Sequence, residues 1–274
     1  MVKVFEGTPE EYYMDGYLKS NMDIAVGAVH KDLDMVIVVD GYEGAGKSVI
    51  TQQVAKYVDP TFDISRIVFT PNTFRKAIVD AKQYQAIVYD ESYTGLSSRQ
   101  AMSRVNKALI QMIAEIRQKN LFVFIVMPSF FDLDKYIALH RSRALIHVYM
   151  TEGFKRGQFA FYNIDKKKDL YVNGKKFYSY FNPKPNFFGN FGNHYVVDET
   201  EYRKLKKLSL TDRETQREDE ERKRDIDNEL FERAMVAGDD ITHEAKARTI
   251  GMPLQTYYYK LRAWREKSGI IPEE

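Results

Sequence analysis

The chain has 274 residues, 44% of them hydrophobic and 29% charged, which is the make-up of an ordinary globular protein with one large domain or one medium domain and appendages. A formal net charge of +2 means that any nucleic-acid binding must come from local basic patches, and the absence of Cys excludes disulfide stapling and Cys-based zinc sites. No apolar run approaches the ~20 residues of a membrane span, and the opening MVKVFEGTPEEYYMDG is acidic and aromatic, unlike a signal peptide, so a cytoplasmic location is expected. Rings are plentiful, with 19 Tyr and 17 Phe against one Trp, and some are spare for stacking or interface work.

In chain order, a leading segment is followed by a helix expected over about Tyr17–Asp32, with Leu18, Met22, Ile24 or Ala25, and Val29 on one face. Met35–Val39 is a run of apolar strand formers, and it ends in Gly41-Tyr42-Glu43-Gly44-Ala45-Gly46-Lys47-Ser48. A Gly, four free positions and Gly-Lys-Ser/Thr is the phosphate-loop pattern. Gly41, Gly44 and Gly46 let the backbone curl until successive N–H groups point at phosphate oxygens. A helix over Lys47–Tyr57 adds its positive N-terminal end. Lys47 is placed to reach the β- and γ-phosphates, and the Ser48 hydroxyl to bind Mg²⁺. Gly41 to Val49 are therefore the expected nucleotide contacts, with ATP and Mg²⁺ as the expected ligands.

A second strand is predicted over Arg66–Phe69, then a helix over Asn72–Ala81 capped by Asn72 or Thr73. Gln85–Tyr89 is a third apolar strand and runs into Asp90-Glu91-Ser92. The third strand is expected to lie beside the loop strand, where Asp90 at its C-terminal end would hold Mg²⁺ through water and Glu91 would orient the attacking water. A spacing of about forty residues after the loop suits a parallel crossover. Beyond the polar stretch carrying Arg99 and Arg104, a helix is expected over Arg104–Lys119 with Leu109, Met112, Ile113 and Ile116 on its apolar face. Leu121–Met127 is the fourth strand. It ends in Pro128-Ser129, where Ser129 is either a γ-phosphate sensor or a plain strand-end serine. Phe130–Leu139 is a short helical segment, and His140-Arg141-Ser142-Arg143 precedes a fifth strand, Ala144–Tyr149. With that strand on the active edge of the sheet, Arg141 or Arg143 is either an arginine finger for a neighbouring subunit or a surface or DNA-phosphate contact.

This alternation predicts a doubly wound, mainly parallel sheet up to residue 150. Gly157–Ile164 and Asp169–Phe181 then read as antiparallel strands, with Asn173-Gly174 as a hairpin turn. Between Thr151 and Lys184 there are eight basic residues and three acidic ones. Among them Lys166, Lys167, Lys168, Lys175 and Lys176 are interleaved with Tyr and Phe. That pattern suits either DNA contact or a solvated basic hairpin. Pro183–His194 is turn-rich. Arg203 to Arg233 carries ten basic and ten acidic residues, as an exposed helical linker would. Two closing helices, Asp239–Arg248 and Pro253–Lys267, flank Gly251. The spacing of Ala247, Gly251 and Tyr257 resembles helix-turn-helix units of the resolvase kind. By that likeness Leu254, Gln255, Tyr258 and Tyr259 face the DNA major groove with Arg262 and Arg265 near phosphates. A helical hairpin for protein contacts is the alternative.

Residues 35–150 resemble a P-loop ATPase of the FtsK/HerA class, in particular the small versions of viruses and mobile elements, including the Zot-like ones. The likeness is carried by Gly41–Ser48, Ile87-Val88-Tyr89-Asp90-Glu91, the strand Phe122–Ser129, and Arg141 and Arg143. With a basic β-hairpin extension (151–195), a charged helical linker (196–237) and a helix-turn-helix-like all-α unit (238–274) read from the residues themselves, the likeness implies an α/β, RecA-like P-loop NTPase core over residues 1–150. It also implies a homo-oligomeric ring, hexamer or pentamer, that hydrolyses ATP to move DNA in packaging, transfer or segregation, with a viral or replication protein as a further partner. The alternatives are a DNA-binding ATP switch, such as a helicase loader or transposition regulator, and a protein-directed ATPase.

Overall fold

Two short strands, β1 (Val2–Val4) and β2 (Tyr12–Met14), pair antiparallel ahead of helix α1 (Gly16–Val29). Asp15 caps α1 by accepting from the amides of Tyr17 and Leu18. Leu18, Met22, Ala25 and Val29 form its buried face, and Ile24 points to solvent. The elements that follow are β3 (Met35–Gly41), α2 (Lys47–Val58), β4 (Ile67–Val68), α3 (Pro71–Asp80), β5 (Ala86–Asp90), α4 (Ser98–Gln118), β6 (Phe122–Val126), β7 (Ser142–Thr151), β8 (Lys155–Tyr162), α5 (Ile164–Asp169), β9 (Phe187–Asn190), α6 (Glu199–Val236), α7 (His243–Thr249) and α8 (Leu254–Ser268). The computed structural model describes residues 1–90, 98–236 and 241–268.

The main sheet has seven strands in the order β4-β5-β6-β3-β7-β8-β9. The first five are mutually parallel, and β8 and β9 are added antiparallel at one edge. The chain is thus α/β with a mostly parallel sheet. Strands β3, β5 and β6 read as continuous apolar runs because both faces are covered. On one face Ile37, Val39 and Phe124 pack with Leu18 of α1 and with Ile50 and Val54 of α2. On the other, Val36, Val38 and Ile125 pack with Phe74 and Ile78 of α3 and with Leu109, Met112 and Ile116 of α4. Each fully buried aromatic ring in these layers contributes on the order of 2–3 kcal/mol of transfer free energy.

Several expectations are corrected. Strand β5 does not lie beside β3, because β6 is inserted between them and pairs with both. Helix α3 is capped by Thr70 in a reciprocal pair with Thr73, two residues earlier than Asn72. Residues 169–181 form no strand. Asn163 caps α5 by accepting from the Lys166 amide, and the helical path continues as a π-turn over Leu170–Gly174. The cause is periodicity: Lys167, Leu170, Tyr171 and Gly174 are buried at the i, i+3, i+4, i+7 spacing of a helix, so strand alternation would expose half of them. Conversely, Phe187–Asn190, in the stretch expected to be turns, is strand β9 and pairs with β8.

The chain divides between Leu210 and Thr211 into two compact units. In the second, Phe231 near the end of α6 joins Ala247 of α7 and Tyr257 and Leu261 of α8 in a small core that Met235, Ile250, Met252 and Trp264 complete. Gly251 turns the chain between α7 and α8 with φ of 66°, a backbone region that glycine enters at no steric cost.

Candidate functional site

The site is built at the C-terminal edge of the parallel strands. Gly41 ends β3 with φ of 135°, and a Cβ there would lie 1.9 Å from the Val148 carbonyl oxygen of β7. Glycine is therefore required by the close approach of the neighbouring strand as well as by the turn. The Gly41 amide donates to the Pro128 carbonyl at the end of β6, which ties the loop to the next strand on the other side. Gly46, with φ of 105°, is the N-cap of α2, and a Cβ on it would meet the Phe191 ring at 2.9 Å. No side chain caps α2, so its first-turn amides are presented by the glycine-rich loop alone.

Beneath the loop, Asp40 is buried and accepts from the Phe130 amide at 2.8 Å and from the Tyr180 hydroxyl. His147 Nδ1 pairs with the same carboxylate at 2.9 Å, and its ring stacks on Tyr180 at 3.7 Å. Burial, and then the Asp40 charge, hold the Tyr180 phenol far above its ordinary pKa. The network fixes the residue that enters the loop. Ser129 lies next to it: its hydroxyl accepts from the Phe131 amide, whereas its neighbour Pro128 lines the cleft.

The cleft itself is about 910 Å³ and is floored by the loop from Glu43 to Val49 and by Asp90. Lys47 Nζ donates to the carbonyls of Gly41 at 2.6 Å and Tyr42 at 3.0 Å. Burial lowers its pKa, while Asp90 and Asp40 oppose that shift. Asp90 is 2% exposed and accepts from the Tyr202 hydroxyl of α6. Desolvation, and then the Asp90 charge, raise the Tyr202 phenol well beyond its usual range. Lys206, one turn further along α6, places its ammonium 3.4 Å from Ser48 Oγ and 3.3 and 3.4 Å from the two Asp90 oxygens. Ser48, in the first turn of α2, and Asp90, at the end of β5, thus converge on one cationic centre although β6 separates β5 from β3. Hard oxygen donors gathered around a positive charge are the donor set a Mg²⁺ ion takes, so the residues present fit that ion.

Of the residues expected to contact nucleotide and metal, Glu43, Gly44, Ala45, Gly46, Lys47, Ser48, Val49 and Asp90 line one cleft. Glu91 lies outside the described residues. Arg141 and Arg143 are not on the active edge. Ser142 pairs with Val36 and Val148 with Gly41, so both arginines stand at the opposite end of β3, roughly 16 Å away at the rise of a strand. Arg141 is committed there to the buried carboxylate of Asp34 at 2.6 Å, and the positional reason for a finger falls away. Lys167 is also corrected as a surface contact, because it is buried and donates to the Ala138 carbonyl. Lys166 and Lys168 are half-buried on α5, Lys175 sits over the Tyr171 ring at 4.5 Å, and Lys176 is exposed beside Phe177. In the second unit Gln255, Tyr258, Tyr259 and Arg262 all lie on the exposed side of α8, opposite the Tyr257–Leu261 seam.

Arg156, Phe191, Tyr195, Tyr202 and Lys206 also line the cleft, and none of them was expected there. The only trace is the i,i+4 pair Tyr202 and Lys206, and nothing in the sequence links that pair to a carboxylate more than a hundred residues earlier. No protein-family model matches the chain, and no curated protein matches it.

Proposed function

We propose that the first unit binds a magnesium–nucleoside triphosphate, ATP in the simplest case, and hydrolyses it as a RecA-like P-loop ATPase. The observation that carries this reading is the convergence of Lys47, Ser48 and Asp90 in one cleft at the C-terminal edge of a five-strand parallel array. Ligands of open α/β sheets bind at that edge. Amides of Gly44 to Ser48 and the start of α2 would donate to the β-phosphate. Lys47, now held by the Gly41 and Tyr42 carbonyls, would turn to the β- and γ-phosphates. Ser48 and Asp90 would hold Mg²⁺, which supplies charge neutralisation on the transferred phosphoryl group. Glu91 is the proposed water-positioning base.

DNA is the proposed partner, acted on by a homo-oligomeric ring. The exposed Lys176, Phe177, Tyr178 and Phe181 offer charge beside stacking surface, and α8 offers Gln255, Tyr258, Tyr259 and Arg262. A slow ATP switch on DNA is favoured over a fast motor by one feature: Tyr202 and Lys206 already engage Asp90.

Steady-state ATP hydrolysis by the full chain, with and without DNA, tests the proposal. Lys47→Ala should lower turnover at least a hundredfold while the circular-dichroism spectrum and melting curve stay close to those of the parent. A DNA-stimulated rate in the parent supports the DNA-acting reading. Full turnover in a folded Lys47→Ala protein would remove the loop from the mechanism.

A further inference from the structure

Lys206 stands where the proposed metal must stand. Its ammonium lies within 3.4 Å of Ser48 Oγ and of both Asp90 oxygens, and 3.1 Å from the Tyr202 hydroxyl. Tyr202 in turn donates to Asp90 Oδ2, so one face of the first turns of α6 takes up the carboxylate from two sides. Asp90 is almost wholly buried, and the oxygens that open into the cleft are the ones these two side chains use. A divalent ion bound by Ser48 and Asp90 has to lie between those oxygens. An ammonium and a divalent ion cannot both occupy that place, because two cations a few ångströms apart in a partly buried cleft repel by several kcal/mol. The neighbouring charges deepen the competition, since Arg156, Arg203, Lys207 and Lys47 line the same cleft and Asp90 is its one buried anion among the described lining residues.

We propose that the segment Glu199–Leu210 is a clasp whose Lys206 ammonium competes with the divalent cation for Ser48 and Asp90, so that metal–nucleotide entry and release of the segment are one event. The inference rests on the nucleotide-site reading above. Binding that is blocked by a populated contact is weakened by the fraction of molecules in which the contact is open. By linkage, the metal–nucleotide complex must loosen the clasp by the same factor that the clasp weakens the complex. Once displaced, Lys206 remains beside the loop and its charge is available to the incoming phosphates.

The test uses the full chain, Mn²⁺ as the spectroscopic ion and a non-hydrolysable ATP analogue. Mn²⁺ titrations followed by electron paramagnetic resonance should show Lys206→Met binding the ion about tenfold tighter than the parent. Lys207→Met removes a like charge from the same cleft without touching Asp90, and should shift the affinity much less. Hydrogen exchange on the unaltered protein gives an independent readout, in which residues 199–210 should lose protection when Mn²⁺ and the analogue are added together. An unchanged or weaker Mn²⁺ affinity in Lys206→Met overturns the clasp, and so does unaltered protection of residues 199–210 at saturation. Binding of the analogue in EDTA separates the two readings. If the analogue binds without metal and Lys206→Met leaves Mn²⁺ affinity unchanged, only the clasp fails. If the analogue binds to neither protein, whether Mn²⁺ is present or removed with EDTA, the nucleotide site fails and the clasp with it.

Discussion

The two ends of the parallel strands treat their basic side chains differently. At the N-terminal end, Arg141 meets Asp34 at 2.6 Å, with the aspartate 1% exposed, and Lys167 is sunk under α5 against the Ala138 carbonyl. At the C-terminal end, Lys206 meets Asp90 at the looser distance of 3.3 Å with its side chain 31% exposed, and Lys47 rests on carbonyls of its own loop. The first set fills space between packed elements and has nowhere to go. The second borders a cleft of about 910 Å³ into which it can turn. Charge alone therefore does not mark a site. Charge held by exchangeable partners beside open volume does.

Substitutions can break or sharpen that contrast. The largest effect on stability is expected from Arg141→Ala, which leaves the Asp34 carboxylate buried without its cation. Removing one partner of a buried pair costs about 3–5 kcal/mol, to be read as a lower urea midpoint with an unchanged slope. A loss below about 1 kcal/mol would mean that the pair is no more fixed than the one at the cleft.

An intermediate effect is expected from Lys167. Burial, helped by the charges of Lys168 and Arg143, pushes its pKa down to about 7. Between pH 7 and 10.5 the unfolded chain therefore carries a proton that the folded protein lacks. Stability should rise with pH across that window and fall as pH drops toward 7, with a slope of up to about 1.4 kcal/mol per pH unit. Lys167→Met should remove that slope, which chemical denaturation at pH 7.5 and 9.5 would measure. The smallest effect on stability is expected from Lys206→Met. Asp90 keeps the Tyr202 hydroxyl and the field of Lys47, and a partly exposed ion pair is worth about 1 kcal/mol or less. A melting loss as large as that of Arg141→Ala would make Lys206 a structural residue and erase the distinction between the two ends.

Much of the core could be read from local pattern. The continuous apolar runs at 35–39, 86–89 and 122–126 are strands because each is buried on both faces. Lys47–Val58 is a helix whose glycine-rich start is visible as a motif. The failures have equally local causes. Val172 to Phe181 has the aromatic and turn residues of a hairpin, but burial at helical spacing around Lys167, Leu170 and Tyr171 prevailed over strand propensity. Phe187–Asn190 has no strand signal strong enough to outweigh its glycine and asparagine neighbours, and it becomes a strand because β8 presents an open edge.

By itself the sequence determined the elements that are satisfied by their own periodicity, together with the position of a glycine-rich loop whose spacing is contiguous. Gly41 to Ser48 needs no partner to be recognised. The tertiary structure alone decided the strand order, and that order put Arg141 and Arg143 at the far end and inserted β6 between Gly41 and Asp90. It also decided that Lys206 would come to Ser48 and Asp90. Such contacts join residues more than a hundred positions apart, and no local propensity encodes them. They exist because the sheet fixes where each strand ends and where a later helix can bring an ammonium to a buried carboxylate.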